Sequence, residues 1–349
     1  PQHDWEGTPV ALGAIRNALV DPAIEVRAAA IGTLRELDDP ESLAQVRRSL
    51  EDAAPEIRLA AIDVVALRKD IDAIDPLGAI VESSTASDVE RRRAIDALRA
   101  VGDERAARRL TGILGRETAA PEALVAALGA VGEMRHVPAR SVVARRTHHE
   151  AAEVRAAALV ALARIDGLDA SERLVGALQD ERPEVRNAAL DSLGEIRAID
   201  AVPAMISAFA EISTRTAAGR ALARIADHRA IDVYLQMLVD RSPELRQDSA
   251  TALAGLKDSI VDDLRRRSDD GVLTSAMRAE LSALFARPEP IRRWMILGAW
   301  SQELGVPEID PNAPLDFDAP VRIGDREFRW REIATDHPLG RFSPAQTFD

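Results

Sequence analysis

A phrase of seven residues recurs along most of the chain and constrains its fold more than any other feature. At 180–186 it reads Asp-Glu-Arg-Pro-Glu-Val-Arg, and copies with the Asp six residues before the Arg stand at 21–27, 52–58 and 240–246. The apolar residue before each Arg marks a period of 31 residues from 26 to 57, 32 from 57 to 89 and 31 from 154 to 185. A near-constant period of this length, with two helical patterns in each, predicts stacked helical hairpins.

The phrase reads as a turn followed by the start of a helix. Pro183 suits a first helical turn, where its missing N–H costs nothing, and Glu184 complements the positive end of the helix. Apolar residues then recur at a helical spacing, at 185, 188, 189, 193 and 196, which indicates one buried stripe. Each phrase is therefore predicted to open the second helix of a hairpin.

The same pattern, followed along the chain, predicts about nine hairpins. In the third the phrase drifts, with Ser84 at the Asp position, Val89 as the marker and Glu90 at the Arg position, and the fourth loses it. In the fifth, His149 replaces the turn Asp. The predicted pairs are 10–19 with 24–37, 40–50 with 55–67, 74–81 with 89–101, 103–114 with 121–131, 137–146 with 154–165, 170–178 with the helix from 183, 199–210 with 214–225, 231–239 with 243–256, and 260–267 with 274–285.

Composition separates the chain into two parts and excludes several functions. The last 63 residues hold seven of the eleven aromatic residues and eight of the nineteen prolines, so we predict a repeat domain at 1–286 and a second unit at 287–349. The net charge of −13 argues against a general nucleic-acid binder. The chain has no Cys, which removes disulfides and thiol-ligated metals, and no apolar run is long enough to span a membrane.

The repeats resemble the HEAT family, in the short bacterial and archaeal form named after phycobilisome-linker lyases. The resemblance covers about 10–286 and depends on Asp-x-x-Pro-Glu-Val-Arg followed by Asn-Ala-Ala-Leu-x-x-Leu-Gly. It implies an all-α fold, a right-handed superhelix of antiparallel helix pairs whose second helices line the concave side. It also implies that the turn Asp and the Arg form a hydrogen-bonded ladder between repeats, which suits a guanidinium fork. The implied ladder residues are Asp21, Arg27, Asp52, Arg58, Asp180, Arg186, Asp240 and Arg246.

The C-terminal segment differs in character from the repeats. Residues 321–330 read as a β-hairpin with a Gly-Asp turn. The Trp-Met-Ile-Leu-Gly at 294–298, the Pro-Glu at 307–308 and the Phe-Arg-Trp-Arg at 328–331 resemble the start of a β-sandwich module found beside HEAT-like repeats in extracytoplasmic proteins of planctomycetes. That resemblance implies an exported protein that is part of a longer polypeptide.

No motif in the sequence indicates catalysis, a cofactor or a metal. Phosphate loops, nucleophile elbows and zinc helices are absent. His148 and His149, with His136 one helix earlier, could in principle bind a metal, but adjacent histidines usually point apart and a solvated turn fits this pair better. The oxygen-rich loop at 310–318 lacks the Gly and Glu of a helix-loop-helix calcium site, and the Arg runs at 91–93 and 265–267 fit solvated helix faces. The tryptophans at 294, 300 and 330 fit a small core better than a sugar site.

These observations favour a non-enzymatic scaffold that binds a protein partner or a neighbouring subunit on its concave face; peripheral association with a membrane complex is left open. A chromophore (bilin) lyase or chaperone and a carbohydrate-associated surface protein are the alternatives. The candidate partner-binding residues are polar positions of second helices, namely Arg35, Asp63, Asp96, Asp191 and Gln247.

Overall fold

The computed structural model describes residues 8–36, 40–285, 320–323 and 326–329, and these form seventeen α-helices and two strands. Single turns of 3₁₀ helix connect several of the α-helices. The helices are α1 (Thr8–Ala18), α2 (Ile24–Glu36), α3 (Pro40–Arg48), α4 (Pro55–Leu67), α5 (Ile74–Glu82), α6 (Asp88–Val101), α7 (Glu104–Leu114), α8 (Pro121–Glu133), α9 (Arg140–Arg146), α10 (Ala152–Asp166), α11 (Ser171–Ala177), α12 (Pro183–Glu195), α13 (Val202–Phe209), α14 (Arg215–Ile225), α15 (Ile231–Leu238), α16 (Pro243–Asp269) and α17 (Ser275–Leu284).

The first sixteen helices form eight successive hairpins, so the predicted helical solenoid is confirmed. Pro55, Pro121, Pro183 and Pro243 each stand in the first turn of a second helix, as the sequence predicts. Proline fits there because its fixed φ is helical and the N–H that it lacks would have no intrahelical acceptor. The handedness implied by the family resemblance stays a prediction.

The hairpins stack so that second helices lie beside second helices. From α2 to α16, each second helix packs along much of its length against the next one, whereas neighbouring first helices touch at few points. The apolar stripe of each second helix is buried between its own partner and the two adjacent hairpins. One surface of this layer stays exposed to solvent, and we call it the second-helix face.

Two glycines permit the closest approaches between second helices. A Cβ built on Gly132 of α8 would lie 2.9 Å from Ala161 Cα of α10, and one built on Gly194 of α12 would lie 2.8 Å from Ala221 Cα of α14. Real side chains do not tolerate contacts this short with a backbone atom. Glycine at these two positions therefore sets the spacing of the layer.

The third hairpin corrects the predicted register by one residue. Glu90 is 1% exposed and Val89 is 58% exposed, so Glu90 and not Val89 occupies the buried marker position. Arg91 then follows at the Arg position, 33 residues after Arg58. The apolar pattern misled the prediction because a charged residue fills the buried position.

The predicted ninth hairpin differs from the structure. Residues 260–267, expected to form its first helix, continue α16 without a break, and only α17 follows as a separate helix. No Pro or Gly interrupts the chain between Gly255 and Gly271, and ion pairs from Arg265 and Arg267 to acids three and four residues earlier support the helix there. The helix ends where Gly271 adopts a φ of 72°.

The predicted C-terminal hairpin is confirmed. Strands β1 (Pro320–Ile323) and β2 (Arg326–Arg329) pair antiparallel, with Val321 opposite Phe328. In this part of the chain the described residues form these two strands and nothing larger, so the β-sandwich module is not supported. Of the residues that carried this resemblance, Phe328 and Arg329 lie in β2, and those at 294–298, 307–308 and 330–331 lie outside the described residues, as does the oxygen-rich loop at 310–318.

The chain divides into two compact units between Met277 and Arg278. This division falls within α17, a few residues before the predicted boundary at 286/287. The boundary itself stays a prediction.

Candidate functional site

The turn Asp of three repeat phrases, Asp52, Asp180 and Asp240, binds two arginines from different hairpins. Asp180 accepts hydrogen bonds at both carboxylate oxygens from Nε and Nη2 of Arg155, each at 2.8 Å. Arg186, in the same phrase as Asp180, instead donates from Nη1 to the main-chain oxygen of Asp180 at 2.7 Å. Asp180 Oδ1 also accepts the N–H of Arg182 at 2.9 Å, which closes the turn. One aspartate thus connects the fifth and sixth hairpins.

This arrangement repeats with small variations along the array. The phrase Arg always reaches the main-chain oxygen of its own Asp, whereas the carboxylate is bound by the Arg of the preceding hairpin. In the third hairpin the carboxylate comes from a different position, since Glu90 at the buried marker position, held by Ser87 in a capping box, accepts from Arg58. The main-chain bonds are Arg27 to Asp21 (2.8 Å), Arg58 to Asp52 (2.7 Å) and Arg246 to Asp240 (2.7 Å), and the bonds between hairpins are Arg27 to Asp52 (2.9 Å), Arg58 to Glu90 (2.6 Å) and Arg215 to Asp240 (3.3 Å).

Sequence reasoning missed Arg155, Arg215 and Glu90 as members of this ladder. A signal for two of them was present, since Arg27, Arg155 and Arg215 each precede the Asp that they bind by 25 residues. His149, at the Asp position of the fifth hairpin, accepts the N–H of Ala151 on Nδ1 and so closes the turn as an Asp does. No pattern in the sequence indicated that Glu90 belongs to the ladder, because its contact with Arg58 depends on its burial.

The ladder lowers the pKa of its carboxyl groups. The hydrogen bonds from Arg155 are the main cause at Asp180, and the N–H of Ser242 followed by Arg215 lowers the pKa of Asp240. At Asp52, burial raises the pKa, but the Ala54 N–H and Arg27 together outweigh it and the pKa is lowered. These carboxyls therefore stay charged in moderate acid.

The second-helix face carries charged residues that are mostly paired with each other. Three of the five candidate partner-binding residues belong to these pairs. Asp63 of α4 binds Arg93 of α6 at 2.5 Å, Asp191 of α12 lies 3.0 Å from Arg220 of α14, and Asp96 lies 3.4 Å from Arg92 within α6.

The other two candidates, Arg35 of α2 and Gln247 of α16, are exposed. Their main-chain oxygens accept hydrogen bonds from Arg68 and Thr251. All five candidate residues thus lie on second helices, but the structure does not bring them into one cluster.

The middle of this face has no charge. Gly129 of α8 and Val160 of α10 occupy the position that Asp96 takes in α6 and Asp191 takes in α12. These four residues follow one another at intervals of 33, 31 and 31 residues. Ala126 and Ala157 stand one turn earlier, at the position that Arg93 takes in α6. All four residues are half-buried. We call Ala126, Gly129, Ala157 and Val160 the uncharged floor.

The floor is bordered by charge on each side. Toward the N-terminus lie Arg93 and Asp96 of α6, and toward the C-terminus lie Asp191 and Arg220. At one end of α8, Glu133 accepts from Arg99 of α6 at 2.9 Å. Small side chains in the middle and paired charges around them form a shallow surface suited to apolar contact with a polar rim.

No group of three or more metal-ligating side chains comes together among the described residues. His136 is buried, with Nδ1 3.5 Å from Glu104 Oε2. His148 and His149 lie in the turn before α10. No helix in the described part of the chain is long and apolar enough to cross a bilayer.

The fold defines a class, the α-solenoids built from stacked helical hairpins. Two stretches carry repeats of a known kind: the family model for HEAT repeats matches residues 12–99 and 139–213. The prediction of HEAT repeats is therefore confirmed for these stretches, while the assignment to the lyase-type form stays a prediction. No curated protein has a sequence that matches the chain.

Solved structures of similar fold include proteins of several kinds. The karyopherin Kap121p bound to RanGTP is 13% identical over 81% of this chain and 41% of its own, with a TM-score of 0.53. Human deoxyhypusine hydroxylase is 21% identical over 71% of this chain and 97% of its own, with a TM-score of 0.34. The complex of CpcE and CpcF of phycocyanin lyase from Nostoc sp. is 22% identical over 64% of this chain and 91% of its own, with a TM-score of 0.38. Of these three, the karyopherin alone has a TM-score above 0.5, and at 13% identity its similarity to this chain concerns the fold alone.

Proposed function

We propose that this protein is a non-enzymatic scaffold that binds a protein partner across its second-helix face. The observation that carries the proposal is the uncharged floor of α8 and α10. Helix positions that face solvent normally carry polar side chains, yet these four half-buried positions are small and apolar. At the position of Gly129 and Val160, α4, α6 and α12 carry Asp63, Asp96 and Asp191, so the fold does not require an uncharged residue there. At the position of Ala126 and Ala157, α4 and α12 also have alanine, and α6 has Arg93.

The charged border supports a protein partner. A partner that covers this border would bury no unpaired charge, because Asp63, Asp96 and Asp191 are each already paired with an arginine. Apolar contact in the centre with satisfied charges around it is the usual composition of a protein interface. Arg35 and Gln247, at the two ends of the array, extend the same face. The ladder arginines and aspartates are proposed to serve stability only.

A matched pair of glycine variants tests this function. Gly129, in the floor, and Gly176, on first helix α11, both have open space where a Cβ would stand. Gly129→Arg places a long cation in the proposed interface, while Gly176→Arg makes the same change on the opposite layer. Both variants are expected to keep the helical circular dichroism of the parent.

The readout is capture of partners by the tagged chain from its native source, with quantitative mass spectrometry. The proposal expects at least one stoichiometric protein that is retained by the parent and by Gly176→Arg, and lost from Gly129→Arg. Equal recovery with both variants, or no stoichiometric protein with the parent, contradicts it. Within the described residues, no feature favours the bilin or the glycan hypothesis over this one.

A further inference from the structure

A row of exposed aliphatic side chains runs along a different surface, the turns that connect one hairpin to the next. Val137, Leu168 and Ile199 are 54%, 61% and 55% exposed. They stand 31 residues apart and occupy one structural position in the 3₁₀ turn that follows a second helix, two residues before the buried alanine that ends the turn. We call these three residues the aliphatic row.

The fold does not require an aliphatic residue at this position. The turn before the row has Glu104 there and the turn after it has His228. An earlier turn has Ile71 at this position, separated from the row by the turn of Glu104. The buried alanine two residues further on, present at Ala73, Ala106, Ala139, Ala170, Ala201 and Ala230, is what all six turns share. An aliphatic residue exposed by more than half in three consecutive turns, and replaced by polar residues on both sides, forms a bounded apolar surface.

Exposed charges border this row on two sides. The chain enters each turn from the second-helix layer and leaves it into the first-helix layer, so residues before and after the aliphatic one lie on opposite sides of the row. Arg135 and Arg197 precede two members of the row by two residues, and Asp169 and Asp200 follow two members by one. All four side chains are exposed, and none of them forms an ion pair within the described residues.

The two remaining positions do not carry the same charges. Asp166, two residues before Leu168, pairs with Arg140 at 2.6 Å, and Pro138 follows Val137. The unpaired charges therefore favour a partner with acids on one flank and bases on the other.

The spacing of the row selects the shape of the partner. Packed helices lie about 8–10 Å apart, which sets the distance between equivalent residues of consecutive hairpins. An α-helix rises about 10.5 Å in seven residues, so its a positions match that distance. The d positions fall between the members of the row. A helix laid along the turns would place its e and g residues over the two charged borders, as in a coiled coil.

We propose that Val137, Leu168 and Ile199 form a docking site for an amphipathic α-helix of a partner protein, with aliphatic residues at heptad spacing, acids on the flank toward the second helices and bases on the other. This site is separate from the second-helix face. Its charged borders fix the direction in which the helix lies.

A synthetic probe tests the proposal directly. The probe is a peptide of three heptads with Leu at a and d, Glu at e and Lys at g, and its matched control has Gln at both e and g. Binding to the purified full chain is measured by fluorescence polarisation at low and high salt. The charged probe is expected to bind more tightly than the control, and the difference is expected to shrink as salt is added.

Two variants of the chain complete the test. Leu168→Asp interrupts the row, and Ile212→Asp makes the same kind of change at a 96% exposed residue in the turn between α13 and α14. Both residues are exposed, so both variants are expected to fold, which circular dichroism verifies. Leu168→Asp should weaken binding of the probe at least tenfold and Ile212→Asp less than twofold.

Three results would overturn the proposal: no binding of the probe, equal binding by both variants, or a change in the sedimentation mass of the free chain with Leu168→Asp. The last result would mean that the row binds a second copy of this chain. None of these results bears on the glycine variants of the second-helix face, so the two proposals can fail separately.

Discussion

At the scale of single residues, one aspartate accepts hydrogen bonds from two arginines, because its main-chain oxygen faces one of them and its carboxylate faces the other. Asp180 offers its main-chain oxygen to Arg186 and its carboxylate to Arg155. The resemblance to the HEAT family implied that these two residue types would bond to each other. It did not predict which oxygen binds which Arg, because the phrase contains only one of the two arginines.

The lowered carboxyl pKa values predict the response to acid. Hydrogen bonds from Arg229 lower the pKa of Asp227 to about 2. In acid the unfolded state takes up protons first, so the stability contributed by this group is complete above about pH 4 and is lost as the pH falls toward 2. We expect a loss of about 1–2 kcal/mol from Asp227, since water screens the half-exposed Arg229.

Urea unfolding between pH 7 and pH 2 measures this loss. Asp227→Asn removes the titrating group and should reduce the decline in the free energy of unfolding over that range. A decline that is equal in the parent and the variant would contradict the role given to Asp227.

The tyrosine at 234 predicts the response to base. It is fully buried, donates to the main-chain oxygen of Leu222 at 2.8 Å and accepts the N–H of Asp227 at 3.1 Å. Burial raises its pKa to about 12. Above pH 10 the unfolded state loses this proton while the folded state keeps it, so stability should fall as the pH rises from about 10 to 12.

This tyrosine is the only one in the chain, so tyrosinate absorbance near 295 nm reports it alone. The folded protein should reach its tyrosinate midpoint near pH 12, and the protein in urea near pH 10. Tyr234→Phe should cost about 1–3 kcal/mol at neutral pH, because the N–H of Asp227 loses its acceptor and the main-chain oxygen of Leu222 loses one donor and keeps the N–H of Ala226. A midpoint near 10 in the folded protein would show that the hydroxyl is not buried as described.

At the scale of helices, close packing decides which positions tolerate a side chain. Gly132 lies against Ala161 of α10, whereas Gly129, three residues earlier on α8, has open space around it. Both are glycines inside one helix, so their intrinsic helix propensities are equal. Only their surroundings differ.

Replacing each of these glycines by alanine separates the two effects. Gly132→Ala should destabilise the protein by about 1–3 kcal/mol, because α8 and α10 must move apart. Gly129→Ala should stabilise it by about 0.5–1 kcal/mol through helix propensity. Thermal or urea unfolding gives both values, and equal effects of the two substitutions would mean that Gly132 does not set the helix spacing.

Helix starts were predictable and helix continuity was not. Pro55, Pro121, Pro183 and Pro243 gave the starts of four second helices, since proline in a first turn is a local signal. The predicted break after Leu256 had no such signal, and the structure continues α16 to Asp269. The uncharged floor was missed for another reason: its residues become neighbours only when α8 and α10 stack.

At the scale of the whole array, each hairpin is stabilised only by its neighbours, so its position along the chain governs its local stability. The first hairpin has one neighbour, and its second helix buries Ala30, Ile31 and Leu34. In the middle of the array, α8 buries seven residues. Stability should therefore rise from the first hairpin toward the centre.

Hydrogen exchange followed by mass spectrometry tests this gradient. Amides of α2 should exchange at least tenfold faster than those of α8 and α10, since they open locally without unfolding the centre. Gly132→Ala should speed exchange in α8 and α10 and leave α2 unchanged. Uniform exchange across all eight hairpins would instead indicate one cooperative unit.

The division of a turn Asp between two arginines also bears on how such a chain changes its length. Removing the second hairpin would bring Arg27 next to Glu90, and removing the seventh would bring Arg186 next to Asp240, so a donor again meets an acceptor. Duplicating the second or the sixth hairpin, each of which carries both the Asp and the Arg, leaves the same match at the new join. Gene rearrangements in steps of about thirty codons therefore keep this bonding where both partners are present, and rearrangements of other sizes break it.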